Sequence, residues 1–494
     1  MSRLNVRVLL VFFSLLAFAR IEAQEPAAPP AFASIPTLTL EECIARAMEK
    51  NFDLKVETFF TDIALESLNV ANAAFEPTFT ASLQRFVSQD SPVAGGRRSD
   101  TTDARIGVEQ FLPTGALVSL SGSVDRSAGN FSAYAFNPVY NSDVALVVTQ
   151  PLLRGAGTAY NRALIERSRL GVAIARLNFK GSVLQVIRDT EAAYYNLVFA
   201  REQLVVKRHS LALAERLYEE NRTRKLTGVA TDLDVLSAEV GIATADNGVV
   251  IAEEGVRNRE DALLELIGQF EFDTDIGTVA LAPYQELSPS FDLSYKLARE
   301  NQPDYLATQT SIQQLELDAS SAKSASRPTL NLGGSVGYNG LDRSYRGAID
   351  AVPNGDAHSW GLDLSLRVPW GLHADRARYR SALASLRQQE TRLRAIEQSL
   401  LVQVRSAVRS VDTNQQSVEI NRKATELATR QYELELARFK AGLSTSRQVL
   451  EVQDDLETAR VNQLLAQVNL RIALANLHQL ESSSLERYRI TVAD

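Results

Sequence analysis

A heptad repeat of apolar residues, interrupted by a glycine turn and met again 214 positions later, constrains this chain more than any other feature. The first copy reads Val183, Thr190, Leu197, Leu204, Leu211 and Tyr218 before its turn, then Val235, Ile242, Val249, Val256 and Leu263 after it. The second reads Val404, Val411, Val418, Thr425 and Tyr432, then Val449, Leu456, Gln463, Leu470 and Leu477. A companion seam is small: Ala238, Ala245 and Ala252 against Ala459, Ala466 and Ala473. A strict seven-residue period held this long imposes a left-handed supercoil, and alanine lets neighbouring helices approach closely. The spacing predicts two long helical hairpins. One climbs through 176–226, turns at Lys225–Thr231 and returns to about Gly268; the other climbs through 374–440, turns at Lys440–Thr445 and returns to about Leu480. Agreement of both arms at one offset indicates a tandem duplication, so the length divides into interleaved halves rather than two or three ordinary domains.

Ahead of the repeats, residues 1–23 have the form of a secretory signal: Arg3 and Arg7, the apolar run 8–19, then small residues with cleavage expected after Ala23 or Ala19. The run is too short for a membrane-spanning helix of ~20 residues. The stretch 24–35, rich in Ala and Pro, reads as a mobile leader. Cys43 is the single cysteine, which excludes an internal disulfide and reads as a small helix-face residue. The formal charge is −8 and the leader carries three arginines against one glutamate, so the exported chain is more acidic still. That balance argues against nucleic acid as a partner.

Thr39 and Glu42 form a capping box that opens a first helix, which Glu76-Pro77 stops after about Ala74. Its counterpart runs from near Asp292 to Ser326 and ends at Arg327-Pro328. Asn51-Phe52-Asp53 and Asn301-Gln302-Pro303-Asp304 mark matching breaks. After each proline the period becomes two. Leu330, Leu332, Val336 and Tyr338 oppose Thr329, Asn331 and Ser335, and Trp360, Leu362, Leu364, Leu366 and Val368 alternate with Ser359, Asp363, Ser365 and Arg367. Phe79, Ala81 and Leu83, and later Val144, Leu146 and Val148, do the same in the first half. Strands of ~10 residues with one apolar and one polar face suit a membrane barrel, and equally a half-buried sheet elsewhere. Loop aromatics (Phe131, Tyr134, Phe136, Tyr140, Tyr345, Trp370) are candidates for an interfacial girdle. Residues 104–111 and 115–124 form an additional hairpin in the first half only, either a part of the barrel or an extracellular decoration. So few strands cannot close a barrel in one chain, because the smallest barrels need ~8.

Leader, capped helix, proline-bounded strands, the segment Gln150-Pro151-Leu152-Leu153-Arg154-Gly155, a hairpin with a glycine tip, and then the same order again: the chain resembles the TolC-like outer membrane efflux proteins over essentially its whole exported length. The resemblance implies a mainly α fold with a membrane β-barrel part. In a homotrimer, duplicated hairpins would form a coiled-coil α-barrel and a few strands per protomer would share one outer-membrane barrel. The broken helices would stack end to end on the returning arms of the hairpins. The chain then divides into the signal (1–23), a first structural repeat (24–268), a linker or equatorial segment (269–291), a second structural repeat (292–480) and an equatorial tail (481–494). The implied role is the passive exit duct of a tripartite efflux or type I secretion system. Implied partners are a periplasmic adaptor (membrane fusion) protein, an inner-membrane transporter and outer membrane lipid; no cofactor is implied.

The same resemblance places adaptor contact and gating at the tips: Gly228, Thr231, Asp232 and Asp234, and Gly442, Ser444, Thr445, Arg447, Gln448 and Glu451. Gln150, Pro151, Arg154 and Gly155 would form the strand-to-helix exit. Asp234 matches a gating acid and Glu451 an acidic ring. Ser444, Phe439 and Gln448 stand where the family has an arginine, a tyrosine and another acid, with Arg447 or Arg438 as substitutes for that arginine. Two other classes stay open. A periplasmic adaptor also carries a helical hairpin, but only one, and a trimeric coiled-coil envelope protein would lack the strand blocks. His209, His358, His373 and His478 are scattered, with no HExxH or other metal spacing, and read as solvated surface. Gly155-Ala156-Gly157 falls short of a nucleotide-binding loop, and the carboxylates are spread along helix faces. No catalytic or metal site is expected.

Overall fold

The computed structural model describes residues 38–130, 136–268, 277, 279, 289–355 and 357–491. The signal, Phe131 and Tyr134, most of the 269–291 segment and the last residues of the tail lie outside them. The heptad seams fold as two hairpins. Helix α4 (Ala163–Leu226) returns as α5 (Asp232–Leu266), and α9 (His373–Lys440) returns as α10 (Ser446–Glu481). At ~1.5 Å per residue α4 and α9 are each about 100 Å long. Val183, Thr190, Leu197, Val404, Val411, Val449, Leu456, Leu470 and Leu477 are buried along the seams, as are Ala238, Ala252, Ala466 and Ala473. Helix α4 starts well before the expected residue 176, because its first turns find a partner in another element. The Gln314 amide donates to the Arg167 carbonyl at 2.8 Å, and Arg167 pairs with Asp318 at 3.3 Å.

The broken helices flank these hairpins. Helices α1 (Leu40–Lys50) and α2 (Phe52–Asn72) lead the first half, and α6 (Phe291–Asn301) and α7 (Pro303–Ala325) the second. Side by side, the layer runs α2-α4-α7-α9 at one level and α5-α4-α10-α9 at the other. Each break is held by a cap. Asn51 Oδ1 accepts from the Asp53 and Leu54 amides, while its Nδ2 donates to the Leu266 carbonyl at 2.9 Å. Gln302 Oε1 accepts from the Tyr305 amide at 2.8 Å, with Pro303 opening the helix. The returning arms end against these breaks in left-handed conformations, Gly268 at φ +67° and Ser482 at φ +59°. The separation is again 214 residues. A Cβ on Gly268 would lie 2.4 Å from the Lys50 carbonyl oxygen, and the Ser482 hydroxyl donates to the Asn301 carbonyl at 3.1 Å. The core between α1, α4 and α5 gathers Ile44, Ile187, Leu197, Leu263 and Ile267, with Cys43 buried among them.

The prolines release both halves into one six-stranded antiparallel sheet, ordered β1 (Thr78–Gln89), β2 (Arg98–Phe111), β3 (Leu117–Gly129), β4 (Val139–Pro151), β5 (Thr329–Asp342) and β6 (His358–Arg367). The additional hairpin is therefore not a decoration: β2 and β3 are inserted between β1 and β4. Both strands are longer than the alternation showed, because their ends, such as 99–103, are polar on both faces. The register puts Phe79, Ile106, Leu120, Leu146, Val336 and Trp360 on one face, and Thr80, Arg105, Ser121, Asp143, Ser335 and Asp363 on the other. The polar face is the concave one. A Cβ on Gly333 or Gly337 there would collide with Asp363 or crowd Ser359, whereas one on Gly334, on the apolar face, meets nothing within 4 Å. Trp360 and Leu362 on the convex face are 77% and 72% exposed. The loop between β5 and β6 carries α8 (Tyr345–Ala351), and a short helix α3 (Thr158–Asn161) precedes α4. Helix α11 (Ser484–Arg487) follows α10.

Asn51→Ala removes both caps of α2 and the bond to α5, and should lower stability by about 1–2 kcal/mol, while Asn51→Asp keeps the caps. Gly268→Ala should cost more than ~1 kcal/mol, since it adds a left-handed penalty to a collision with backbone. Thermal unfolding followed by circular dichroism in detergent reads both.

Candidate functional site: the hairpin tips and the strand-to-helix exit

The two tips have one design. Gly228 (φ +77°) donates to the Lys225 carbonyl and Val229 to that of Arg224; Gly442 (φ +78°) donates to Phe439 and Leu443 to Arg438, each at 2.9 Å. A left-handed glycine after the last turn satisfies carbonyls that the helix leaves open. The chain then re-enters a helix through a capping box, Thr231 with Asp234 on the first tip and Thr445 with Gln448 on the second. Asp234 is thereby committed. Its Oδ2 accepts from the Thr231 amide at 2.8 Å and the Thr231 hydroxyl at 2.7 Å, and these bonds hold its carboxyl below the usual carboxylate range. Asp232 is paired with Lys225 across the turn. Gln448 Oε1 accepts from the Thr445 amide at 3.1 Å and lies 3.0 Å from Ser444 Oγ, whose single proton is shared with the closer Glu435 carboxylate. Arg438 pairs with Glu435 at 2.9 Å, and Arg447 and Glu451 are exposed.

Within one chain the two tips are clamped together. Leu217, Phe439 and Val449 form a small buried cluster beside Tyr432, Leu436 and Leu450. The Arg224 guanidinium lies 4.3 Å from the centre of the Phe439 ring and donates to the Phe439 carbonyl at 2.9 Å. Ser446 Oγ donates to Asn221 Oδ1 at 2.7 Å in the same buried interface. Phe439, which the resemblance sets at a gating tyrosine, is thus buried inside its own chain. Beyond the clamp Leu226, Val229 and Leu443 are 85%, 67% and 70% exposed. Sequence reasoning passed over all three, because a single apolar residue in a turn carries no periodic signal.

The exit segment is a knot that joins both halves to the additional hairpin. Gln150 Nε2 donates to the Thr114 carbonyl at 3.2 Å and the Gly157 amide donates to the same oxygen at 3.1 Å, which pins the β2–β3 turn. Pro151 ends β4 opposite Asn331, and the Leu152 and Arg154 amides donate to Leu330 and Pro328. Gly155 (φ +82°) lies so close to Gly115 that a Cβ on Gly115 would stand 2.4 Å from its carbonyl oxygen. Arg154 then reaches Asp375, in the first turn of α9, at 3.5 Å, and Arg378 pairs with the same carboxylate at 3.0 Å.

A second polar cluster, at the far end of the returning arms, was not legible. Glu191 is buried, contrary to a reading of helix carboxylates as solvated, and accepts from the Tyr488 hydroxyl. Burial pushes its carboxyl above the usual range despite that bond. His478, expected on solvated surface, is half-buried beside Arg487, whose guanidinium is 3.1 Å from its Nδ1. Burial, helped by Arg487, lowers the imidazole to about 4. Among the described residues no group of His, Cys, Asp and Glu is arranged to hold a metal.

Two tests follow from these contacts. Asp375→Ala leaves two arginines without their shared partner and should cost about 1–3 kcal/mol, partly recovered in Asp375→Glu. For His478, the unfolded chain takes up a proton as pH falls below 6.5 while the folded chain refuses it until about 4. Stability should therefore decline across that window by up to ~3 kcal/mol, and His478→Gln should flatten the decline. Unfolding midpoints of both proteins between pH 7 and 4 read the difference.

The outer membrane efflux protein family model matches residues 43–269 and 294–481, so its two segments bracket the two hairpins and their sheet. The fold is shared with solved outer membrane channels at low identity. The CmeC channel of Campylobacter jejuni is 16% identical, with 97% of this chain and 98% of that chain covered at a TM-score of 0.67. The open-state MtrE channel of Neisseria gonorrhoeae is 18% identical, with 90% and 88% covered at 0.64. VceC of Vibrio cholerae is 16% identical, with 90% and 96% covered at 0.66. No curated protein matches the sequence. Two family segments on two copies of one hairpin, and one fold over nearly the full length, lead to a single conclusion: the chain belongs to the outer membrane efflux protein family.

Proposed function

We propose that three copies of this chain form one exit duct from periplasm to exterior, working with a periplasmic adaptor and an inner-membrane transporter. The observation that carries the reading is a six-stranded sheet with an apolar convex face and two open edges, β1 and β6. Lipid offers no hydrogen bonds, so those edges must find partners. Strands β1 and β6 run antiparallel to one another, so β1 of one copy can extend β6 of the next. Three sheets would give eighteen strands, within the range that leaves an aqueous channel.

The helices ask for the same neighbours. Phe52, Val56, Phe59, Phe60, Ile63 and Val70 form an exposed stripe along α2, and Ile420, Leu427 and Leu434 continue a heptad on the outside of α9. Helices α4 and α5 are each apolar enough, by length and composition, to cross a membrane, yet little of those windows is buried in the single chain. Burial against adjacent copies accounts for the excess at ~25 cal/mol per Å2 of apolar surface. The exposed Leu226, Val229 and Leu443 at the tips are the surface offered to the adaptor.

Native mass measurement and planar-bilayer conductance test the reading together: one pore per three chains is expected, and a non-conducting monomer sinks it. The concave face carries Asp103, Glu109, Asp125, Asp143 and Asp363 against Arg105 and Arg367. Cations should therefore be favoured, and Asp103→Asn with Asp125→Asn should reduce the cation-to-anion permeability ratio. Changing Leu226, Val229 and Leu443 to Ser should abolish export in cells while single-channel conductance stays unchanged.

A further inference from the structure

Helix α2 is one open end of the helical layer beneath the sheet, with α4 as its long neighbour. On the face turned away from α4, Val56, Ile63 and Val70 recur every seven residues beside Phe52 and Phe59, all more than half exposed. A groove of about 770 Å3 runs along that stripe, walled by Phe59, Ile63, Glu66 and Val70 with Leu164 of α4. Helix α9, packed on α7, is the other open end. Its outer face there is small: Ala377, Ala384 and Thr391, again seven apart, with Ser381 and Ala395 beside them, all exposed.

The two faces are opposite in charge as well as in size. Helix α2 carries Asp53, Glu57, Asp62 and Glu66 against Lys55. Between Ala374 and Gln398, α9 carries six arginines against Asp375, Glu390 and Glu397, and Asp375 and Glu397 are already engaged by Arg154, Arg378 and Arg299. The sheet decides how the faces meet. Strand β1 follows α2 through Pro77, and β6 leads into α9 through 368–372. Where β1 of one copy extends β6 of the next, the last turn of α2 comes level with the first turns of α9, and the two helices run antiparallel. Val70, Ile63 and Val56 then descend opposite Ala377, Ala384 and Thr391, large residues entering a row of small ones. At 3.6 residues per turn, Asp62 and Glu66 lie on one flank of the α2 stripe and Arg380 and Arg387 on a flank of the α9 stripe, and antiparallel packing turns those flanks to the same side. None of these four has an ion-pair partner among the described residues; Glu66 accepts only from the Asn69 side chain. Lower on the same flanks the signs exchange, with Lys55 of α2 level with Glu390 of α9.

We propose that α2 of one copy and the arginine-flanked small stripe of α9 of the next form a charge-matched antiparallel seam, with Ile63 against Ala384 and Glu66 against Arg380, through which copies of this chain select one another in register. The seam rests on the shared-barrel reading, which supplies the pairing of β1 with β6. Backbone at a sheet edge pairs with any other edge and carries no selectivity of its own. The helices beneath supply it, because a shift of half a heptad sets Ile63 against the larger Gln388 and breaks the acid-to-arginine matches.

The test is disulfide trapping in the full-length channel extracted from outer membranes, with conductance read on the same preparations. Ile63→Cys with Ala384→Cys puts one thiol on each side of the seam, and mild oxidation should link the chains into covalent dimers and trimers on a denaturing gel. Cys43 stays out of the exchange, because it is buried and burial pushes its thiol up to about 12. Ile63→Cys with Gln398→Cys, which moves the second thiol ~21 Å along α9, should not link. Added to the first pair, Glu66→Arg or Arg380→Glu should each reduce the linked fraction several-fold, and the two together should restore it. A conducting channel in which the first pair does not link, or in which charge reversal leaves linking unchanged, overturns the seam alone. A wild type that neither conducts nor assembles in threes overturns the duct on which it rests.

Discussion

Unpaired backbone at a sheet edge is the constraint to which the rest of this structure answers. Alternate residues along the twelve of β1 and the ten of β6 present amides and carbonyls with no partner inside the sheet, on a surface whose apolar side is convex. In hydrocarbon each such group costs several kcal/mol. A strand at an edge can be blunted with charge or proline, yet the apolar face of β6 is an unbroken row of Trp360, Leu362, Leu364 and Leu366. In the proposed duct, copies of the same chain complete these edges, and the exposed stripes on α2 and α9 are the matching surfaces along the helical part.

The duplication works through constraints that hold at the same offset. Gly228 and Gly442, and Gly268 and Ser482, are all left-handed, and each pair is 214 residues apart. At the second pair the chemistry differs while the job is the same. Gly268 approaches Lys50 so closely that no side chain fits, whereas Ser482 accepts the conformational cost and uses its hydroxyl on Asn301. The breaks they abut are capped by different residues too, Asn51 in one half and Gln302 ahead of a proline in the other. What has been kept is the position at which a returning helix must stop so that a broken one can continue the layer.

Much of this was legible because it repeats or alternates. The buried seams, the capping box at Thr39 and the glycine tips carry strong local signals, whereas the box at Thr231 emerged only with the structure. The early start of α4 was hidden, since residues 163–175 pack on α7 through Gln314 and Asp318, which no local pattern reveals. Strand ends that are polar on both faces concealed the true lengths of β2 and β3, and only pairing showed them to be sheet. Glu191 looked like any helix carboxylate until Tyr488, almost 300 positions away, was brought to it. At the tips, Asp234 and Phe439 were placed by resemblance, but their contacts are spent on a cap and a clamp within the chain.

The additional hairpin acquires a geometric meaning when the sheet is set against the helices beneath it. Each chain lays four helices side by side. At ~8–10 Å between axes these cover roughly 32–40 Å of circumference. Strands spaced ~4.8 Å and tilted by ~40° each cover about 6 Å of the same arc. Four strands would span only about 25 Å, so a barrel of that width must taper sharply from the helical layer. Six span about 38 Å, which matches the helices without a taper. The knot at Gln150–Gly157 is where that match is enforced, because it fastens the β2–β3 turn to the start of α4 and, through Arg154 and Asp375, to α9. Inserting two strands therefore widens the membrane section without disturbing either hairpin, since the added turn closes onto a segment that both halves already share.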